Sequence, residues 1–113
     1  MASTEYTFSR DQCPDVMRIT LDAHISKASI VHIPFWARRV TVRPEGKKCR
    51  ISFVEGTGDD IHADFIKLPA DAPAEFTVFD GVNVANGIDK IYIANVSSVS
   101  GATAVSIMVE GAQ

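Results

Sequence analysis

Hydrophobic residues in this chain recur at every second position in short runs, and turn-forming residues separate the runs. Met17, Ile19, Leu21 and Ala23 alternate with Arg18, Thr20, Asp22 and His24, and Ile30-Val31-His32-Ile33 is a second run closed by Pro34. Val40 and Val42 alternate with Arg39, Thr41 and Arg43; beyond Pro44-Glu45-Gly46-Lys47-Lys48, Cys49, Ile51 and Phe53 alternate with Arg50, Ser52 and Val54. A period of two is that of a strand with one buried face. Two such runs about one Pro/Gly turn predict a hairpin over 38–54.

The same reading predicts a strand over 61–66, with Ile61, Ala63 and Phe65 on one face, and another over 75–79, with Phe76 and Val78 on one face and Thr77 and Phe79 on the other. Ile91 and Ile93, then Val105, Ile107 and Val109, mark two closing strands, and the small polar residues 97–102 between them fit a hairpin loop. No stretch holds a 3.6-residue period for three turns. About eight short strands without a helix predict an all-β, two-sheet antiparallel β-sandwich, of which the jelly roll is one form. It occupies residues 16–113. Residues 1–15 read as an extended N-terminal arm: they are polar, contain Pro14, and offer Tyr6 and Phe8 as rings on one side of an extended chain, placed to plug into a neighbour.

At 113 residues and 46% apolar composition the chain fits one globular domain. No apolar run approaches the roughly 20 residues of a membrane helix. Met1-Ala2-Ser3-Thr4-Glu5 lacks the basic and apolar segments of a secretory signal, so the expectation is a protein made and kept in the cytoplasm, or built into a particle there. Of the two cysteines, Cys49 opens an apolar alternation and is expected as a buried thiol, while Cys13 sits beside Pro14; no disulfide is expected in that compartment.

The net charge of −3 conceals an asymmetry. Residues 1–50 carry nine Lys/Arg against five Asp/Glu, and residues 51–113 two against nine. Such a split favours an acidic partner or head-to-tail contact between copies. On the predicted hairpin Arg39, Arg43, Lys48 and Arg50 share a face, which reads as a protein interface or a solvated surface. Nucleic acid is the weaker reading, since no aromatic residues alternate with these cations to stack bases. Phe35-Trp36 follows a proline, and two adjacent rings cannot both enter one core from a regular strand. One of them is a candidate interface anchor.

Catalytic signatures are missing from the sequence. Gly56 and Gly58 have no Gly-Lys-Ser/Thr continuation, and neither a Gly-x-Ser-x-Gly elbow nor a His-Glu-x-x-His pattern occurs. Asp60, His62 and Asp64 would leave a strand on one face, but three successive outward positions span about 13 Å, too far to grip one ion unless a neighbouring subunit completes the site. No cofactor and no metal are expected.

The stretch Lys90-Ile91-Tyr92-Ile93-Ala94-Asn95-Val96-Ser97, followed by Gly101 to Gly111, resembles in texture the terminal strand pair of small tailed-phage virion proteins, among them head decoration (cement) and head or tail accessory proteins. The resemblance covers about a fifth of the chain. It implies a non-enzymatic β-sandwich or jelly roll located in the virion, a homo-oligomer, often a trimer, that clamps the major capsid protein or another virion protein with an arm or strand edge. It brings no catalytic residues. Trp36 and the basic stretch have no counterpart in it, which leaves tail-tube and fibre-base roles beside decoration. A carbohydrate- or ligand-binding sandwich using Trp36 and Tyr92 is the alternative class, and a cupin-like enzyme with converging histidines a third. The residues expected to meet a partner are Tyr6, Phe8, Phe35, Trp36, Arg39, Arg43, Lys48 and Arg50.

Overall fold

The computed structural model describes residues 5–8, 15–21, 27–34, 37–58, 60–77, 90–96 and 103–111. They form nine strands: β1 (Glu5–Thr7), β2 (Asp15–Thr20), β3 (Ser29–His32), β4 (Ala37–Glu45), β5 (Cys49–Ser52), β6 (Ile66–Leu68), β7 (Ala74–Thr77), β8 (Lys90–Asn95) and β9 (Ala104–Gly111). Five of them make one sheet in the order β1-β3-β8-β5-β6, and four make the other in the order β2-β9-β4-β7. The pairings are antiparallel except that β1 runs parallel to β3, so the five-stranded sheet is mixed.

The two-residue period explains which side chains lie between the sheets. Ile19, Val40, Val42, Val105, Ile107 and Val109 come from the four-stranded sheet; Val31, Cys49, Ile51, Leu68, Ile91 and Ile93 come from the five-stranded one. All belong to one buried cluster. Each fully buried aliphatic side chain contributes about 1.5–3 kcal/mol against exposure. This is the sandwich that the alternation predicts.

Four expectations need correction. The first concerns residues 38–54, which are not a hairpin: β4 pairs with β7 and β9, whereas β5 pairs with β6 and β8. The turn at Gly46, whose φ of 79° suits glycine, carries the chain from one sheet to the other. Asp71, itself at φ 61°, fastens this turn: its carboxylate accepts from the Gly46 N–H at 2.9 Å and its own N–H donates to the Pro44 carbonyl at 2.8 Å. The closing strands differ in the same way, because β8 lies in the five-stranded sheet and β9 in the other.

The third correction concerns 61–66. Strand structure starts only at Ile66, and the preceding residues fold as a bent connection from β5. Ser52 Oγ donates to the Asp64 carbonyl at 2.7 Å, the Arg50 guanidinium stands 5.1 Å from the Phe65 ring centre, and Asp60 forms a bridge with Lys27 just ahead of β3. In the sheet, β3 and β5 flank β8, so a chain that leaves β5 and reaches Lys27 passes over the outer side of β8. This accounts for Tyr92 and Ala94, which point away from the core yet are buried.

The fourth is the arm. Glu5–Thr7 is a strand of this domain, Tyr6 packs against the core and Phe8 is buried within it at 8% exposure. Three residues pairing in parallel with a strand about 25 positions away leave little local pattern to read. Strand structure also resumes at Asp15, just before the expected start of the sandwich.

Candidate functional site

The outward face of the four-stranded sheet is built from alternate residues of four strands. Because register partners share a face, three rows can be traced across it. Arg39 lies opposite Glu110; Val16, Met108, Thr41 and Glu75 form a second row; Arg18, Ser106 and Arg43 form a third.

Ion pairs occupy the outer rows. Arg39 donates to Glu110 through Nε at 3.1 Å and Nη2 at 2.9 Å, a bidentate contact that raises the guanidinium pKa. Arg18 Nε and Ser106 Oγ both donate to Glu45 Oε2 at 2.8 Å, and these hydrogen bonds hold the Glu45 carboxyl below its ordinary range. The second contact ties β2, β9 and β4 together. Between the ionic rows stands Val16 at 63% exposure, next to half-buried Met108 and Thr41. Val16 stands on the edge strand β2, so the apolar patch lies at one side of this face with ion pairs above and below it along the strands, and apolar area beside a polar rim is the anatomy of a protein contact.

The structure separates the residues expected to meet a partner. Tyr6 and Phe8 turn onto their own core, and the Tyr6 hydroxyl donates to the Thr20 carbonyl at 3.3 Å. Arg39 and Arg43 are on the outer face just described. Lys48 is exposed after the β4–β5 turn. Arg50 belongs to the opposite sheet, where its Nε donates to the Asn95 carbonyl at 2.8 Å and desolvation lowers its pKa. The expected single basic face is therefore split between two sheets. On the four-stranded side, Arg18, Arg39 and Arg43 are balanced by Glu45, Glu75 and Glu110. Phe35 and Trp36 lie outside the described residues, as does Cys13.

Asp60, His62 and Asp64 do not share a strand face. His62 Nδ1 accepts from the Asp64 N–H at 2.9 Å, an intraloop bond, while Asp60 is at the Lys27 bridge. Among the described residues no three His, Cys, Asp or Glu side chains gather where one metal ion could be held. His32 is half-buried and meets Glu5 at 2.6 Å, linking β3 to β1.

A cleft of about 410 Å³ opens where β5 leaves the sheet, lined by Ile51, Ser52, Phe53, Val54, Asp64, Phe65 and Ile66. Its inner wall is continued by Phe53 against Phe76 of β7, with ring centres 5.1 Å apart and edge to face. The alternation puts Val54 on the polar face with Arg50 and Ser52, and Ile66 with His62 and Asp64; both are exposed, although Ile66 lies opposite Ile51 in the sheet.

Gly56, in the connection between β5 and β6, passes close to the backbone of Asp60 and His62. A Cβ there would collide with the Asp60 carbonyl oxygen and come within 2.9 Å of the His62 nitrogen, both of them backbone atoms. Gly56→Ala is therefore expected to lower stability by about 1–3 kcal/mol. Amide hydrogen exchange should show faster exchange across 53–65 and no change in β9.

No family model matches this chain, and no curated protein matches it. Among solved structures, it is similar to an HTH_3 family transcriptional regulator from Vibrio cholerae, with a TM-score of 0.52 and 13% identity over 95% of this chain. The chain spans 48% of that protein's length. At such identity the likeness concerns the fold alone.

Proposed function

We propose that this chain is a non-enzymatic structural protein of a virion, a jelly-roll subunit present in many copies that decorates or cements a capsid. The observation that carries this reading is the strand order. With β1 set aside, the sheets run β2-β9-β4-β7 and β3-β8-β5-β6. This order, in which every link except β5–β6 crosses between the sheets, supports a jelly roll of two Greek keys wound together. Jelly rolls serve capsids, lectins and cupins, so surfaces must choose among them.

A carbohydrate site calls for aromatic rings on a flat face. Among the described residues, the rows on the outer face of the four-stranded sheet hold none. A cupin-like centre calls for converging histidines, and His32 bonds to Glu5 beside β1 while His62 lies in the β5–β6 connection. What this face does offer is Val16 and Met108 between ionic rows, a surface for the major capsid protein or another virion protein. Contact through it replaces the aromatic arm as the means of attachment.

The test is to purify particles from cells carrying this chain's native locus and measure its copy number by quantitative mass spectrometry. A copy number comparable to that of the shell protein supports the proposal, and absence from the particles overturns it. Val16→Asp should cut the bound copies at least about tenfold, consistent with loss of an apolar contact in the interface, and leave the melting temperature unchanged.

A further inference from the structure

Three cations gather at one corner of the five-stranded sheet, on the side away from the core. Arg50 of β5 is directly opposite Lys67 of β6, with Ala94 of β8 on its other flank. Lys48 is exposed two residues before Arg50, which sets it on the same side of an extended chain, about 7 Å along. Like charges facing each other across two strands destabilise a sheet. The β5–β6 pair therefore carries a cost in the free domain that a bound anion removes.

The corner also holds its shape. Arg50 Nε donates to the Asn95 carbonyl at 2.8 Å, and the guanidinium lies 5.1 Å from the Phe65 ring centre. A guanidinium fixed by a carbonyl and a ring loses little freedom on meeting a carboxylate. Lys48 and Lys67 are exposed and have no ion-pair partner among the described residues. Neither Asp64 nor Glu5 meets them: Asp64 stands 3.8 Å from His62, and Glu5 stands 2.6 Å from His32.

We infer that this corner binds an acidic segment of a partner protein, an extended stretch with carboxylates at alternate residues. On one side of such a stretch the carboxylates recur about every 7 Å, which is the interval between Lys48 and Arg50, and Lys67 is beside the second of them. Nucleic acid fits less well, because Phe65, the ring beside these cations, has the Arg50 guanidinium over it where a base would stack. The corner is on the opposite side of the sandwich from Val16, so the inference stands apart from the virion reading.

The test follows the amide chemical shifts of the full chain as the blocked peptide Thr-Glu-Thr-Glu-Thr is added to millimolar concentration. Changes should concentrate at residues 48–52 and 65–68, and Thr-Glu-Glu-Thr-Thr, of equal charge and composition, should bind more weakly. Lys67→Gln should weaken binding about threefold to fivefold. Lys90→Gln removes the same charge at the far end of β8, opposite His32, and should leave binding intact. Lys67→Glu should abolish binding and yet, at low salt, raise the melting temperature by about 1–4 °C, because the like-charge pair with Arg50 becomes an attractive one. Changes centred elsewhere overturn the inference, as do equal losses from Lys67→Gln and Lys90→Gln, or equal binding of the two peptides. A thymidine trinucleotide, carrying the same two charges, that moves these amides at lower concentration than the peptide also overturns it.

Discussion

Phe8→Ala is expected to lower the stability of the isolated domain by about 3 kcal/mol, which for a domain of this size is a fall of roughly 10–15 °C in melting temperature. The ring is 8% exposed and belongs to the same buried cluster as Val31, Ile33 and Leu21. Its removal forfeits the transfer energy of the ring and leaves a cavity that short, paired strands cannot close. The backbone keeps its ordering cost, since β1 stays paired to β3 through Glu5–Ile30, Tyr6–Val31 and Thr7–His32. Point substitution is therefore a sharper test than truncation, which would also release about 1–2 kcal/mol of ordering entropy per residue. An arm destined for a neighbour makes the opposite prediction: Phe8→Ala would leave melting unchanged and would affect only association. Thermal unfolding followed by circular dichroism separates the two.

Phe8 also shows where sequence reading succeeds and where it stops. Alternation is a local property, and it put Val40, Val42 and Cys49 inside and set Ile91 with Ile93, and Val105 with Ile107 and Val109, each on one shared face, because each belongs to a run long enough to show its period; all of them are in the core. It even placed Tyr6 and Phe8 on one side of the chain. The owner of the core they enter is a long-range fact, decided by a parallel partner strand that no local pattern encodes. Strand pairing is hidden for a related reason. A Gly46 turn between two alternating runs looks the same whether the chain folds back in one sheet or crosses to the other, and only the crossing puts Arg43 and Arg50 on opposite outer faces.

The stretch 60–65 failed in the reverse direction, through a period without a strand. Ile61, Ala63 and Phe65 alternate well, but backbone contacts at Gly56 and the Ser52 hydroxyl on the Asp64 carbonyl hold the segment in a bent connection. There Phe65 lies under the Arg50 guanidinium, outside the core between the sheets. The apolar patch of the candidate face was equally illegible. Val16 and Met108 belong to strands about 90 residues apart and meet only through the β2–β9 register.

Alkaline pH is expected to unfold this protein through Cys49. The thiol is on the inward face of β5, opposite Asn95 on one side and Leu68 on the other, and burial pushes its pKa from 9.0 up to about 12. Below about pH 9 the thiol is protonated in both folded and unfolded chains, and its burial is fully favourable. Above that pH the unfolded chain releases the proton while the folded chain keeps it, so stability falls as pH rises toward 12. Each pH unit within the window costs about 1.4 kcal/mol, up to about 4 kcal/mol in all. The comparison is made between variants that differ only at Cys49. In a Cys13→Ser chain, denaturant unfolding from pH 8 to 11 should show a steep decline. Adding Cys49→Ala should reduce stability at pH 8 by about 1 kcal/mol for the lost volume and flatten the decline. The two curves should then cross at alkaline pH, with the alanine chain the more stable beyond the crossing. Parallel curves would mean that the Cys49 thiolate is tolerated in the folded sandwich, and that the core around β5 admits water.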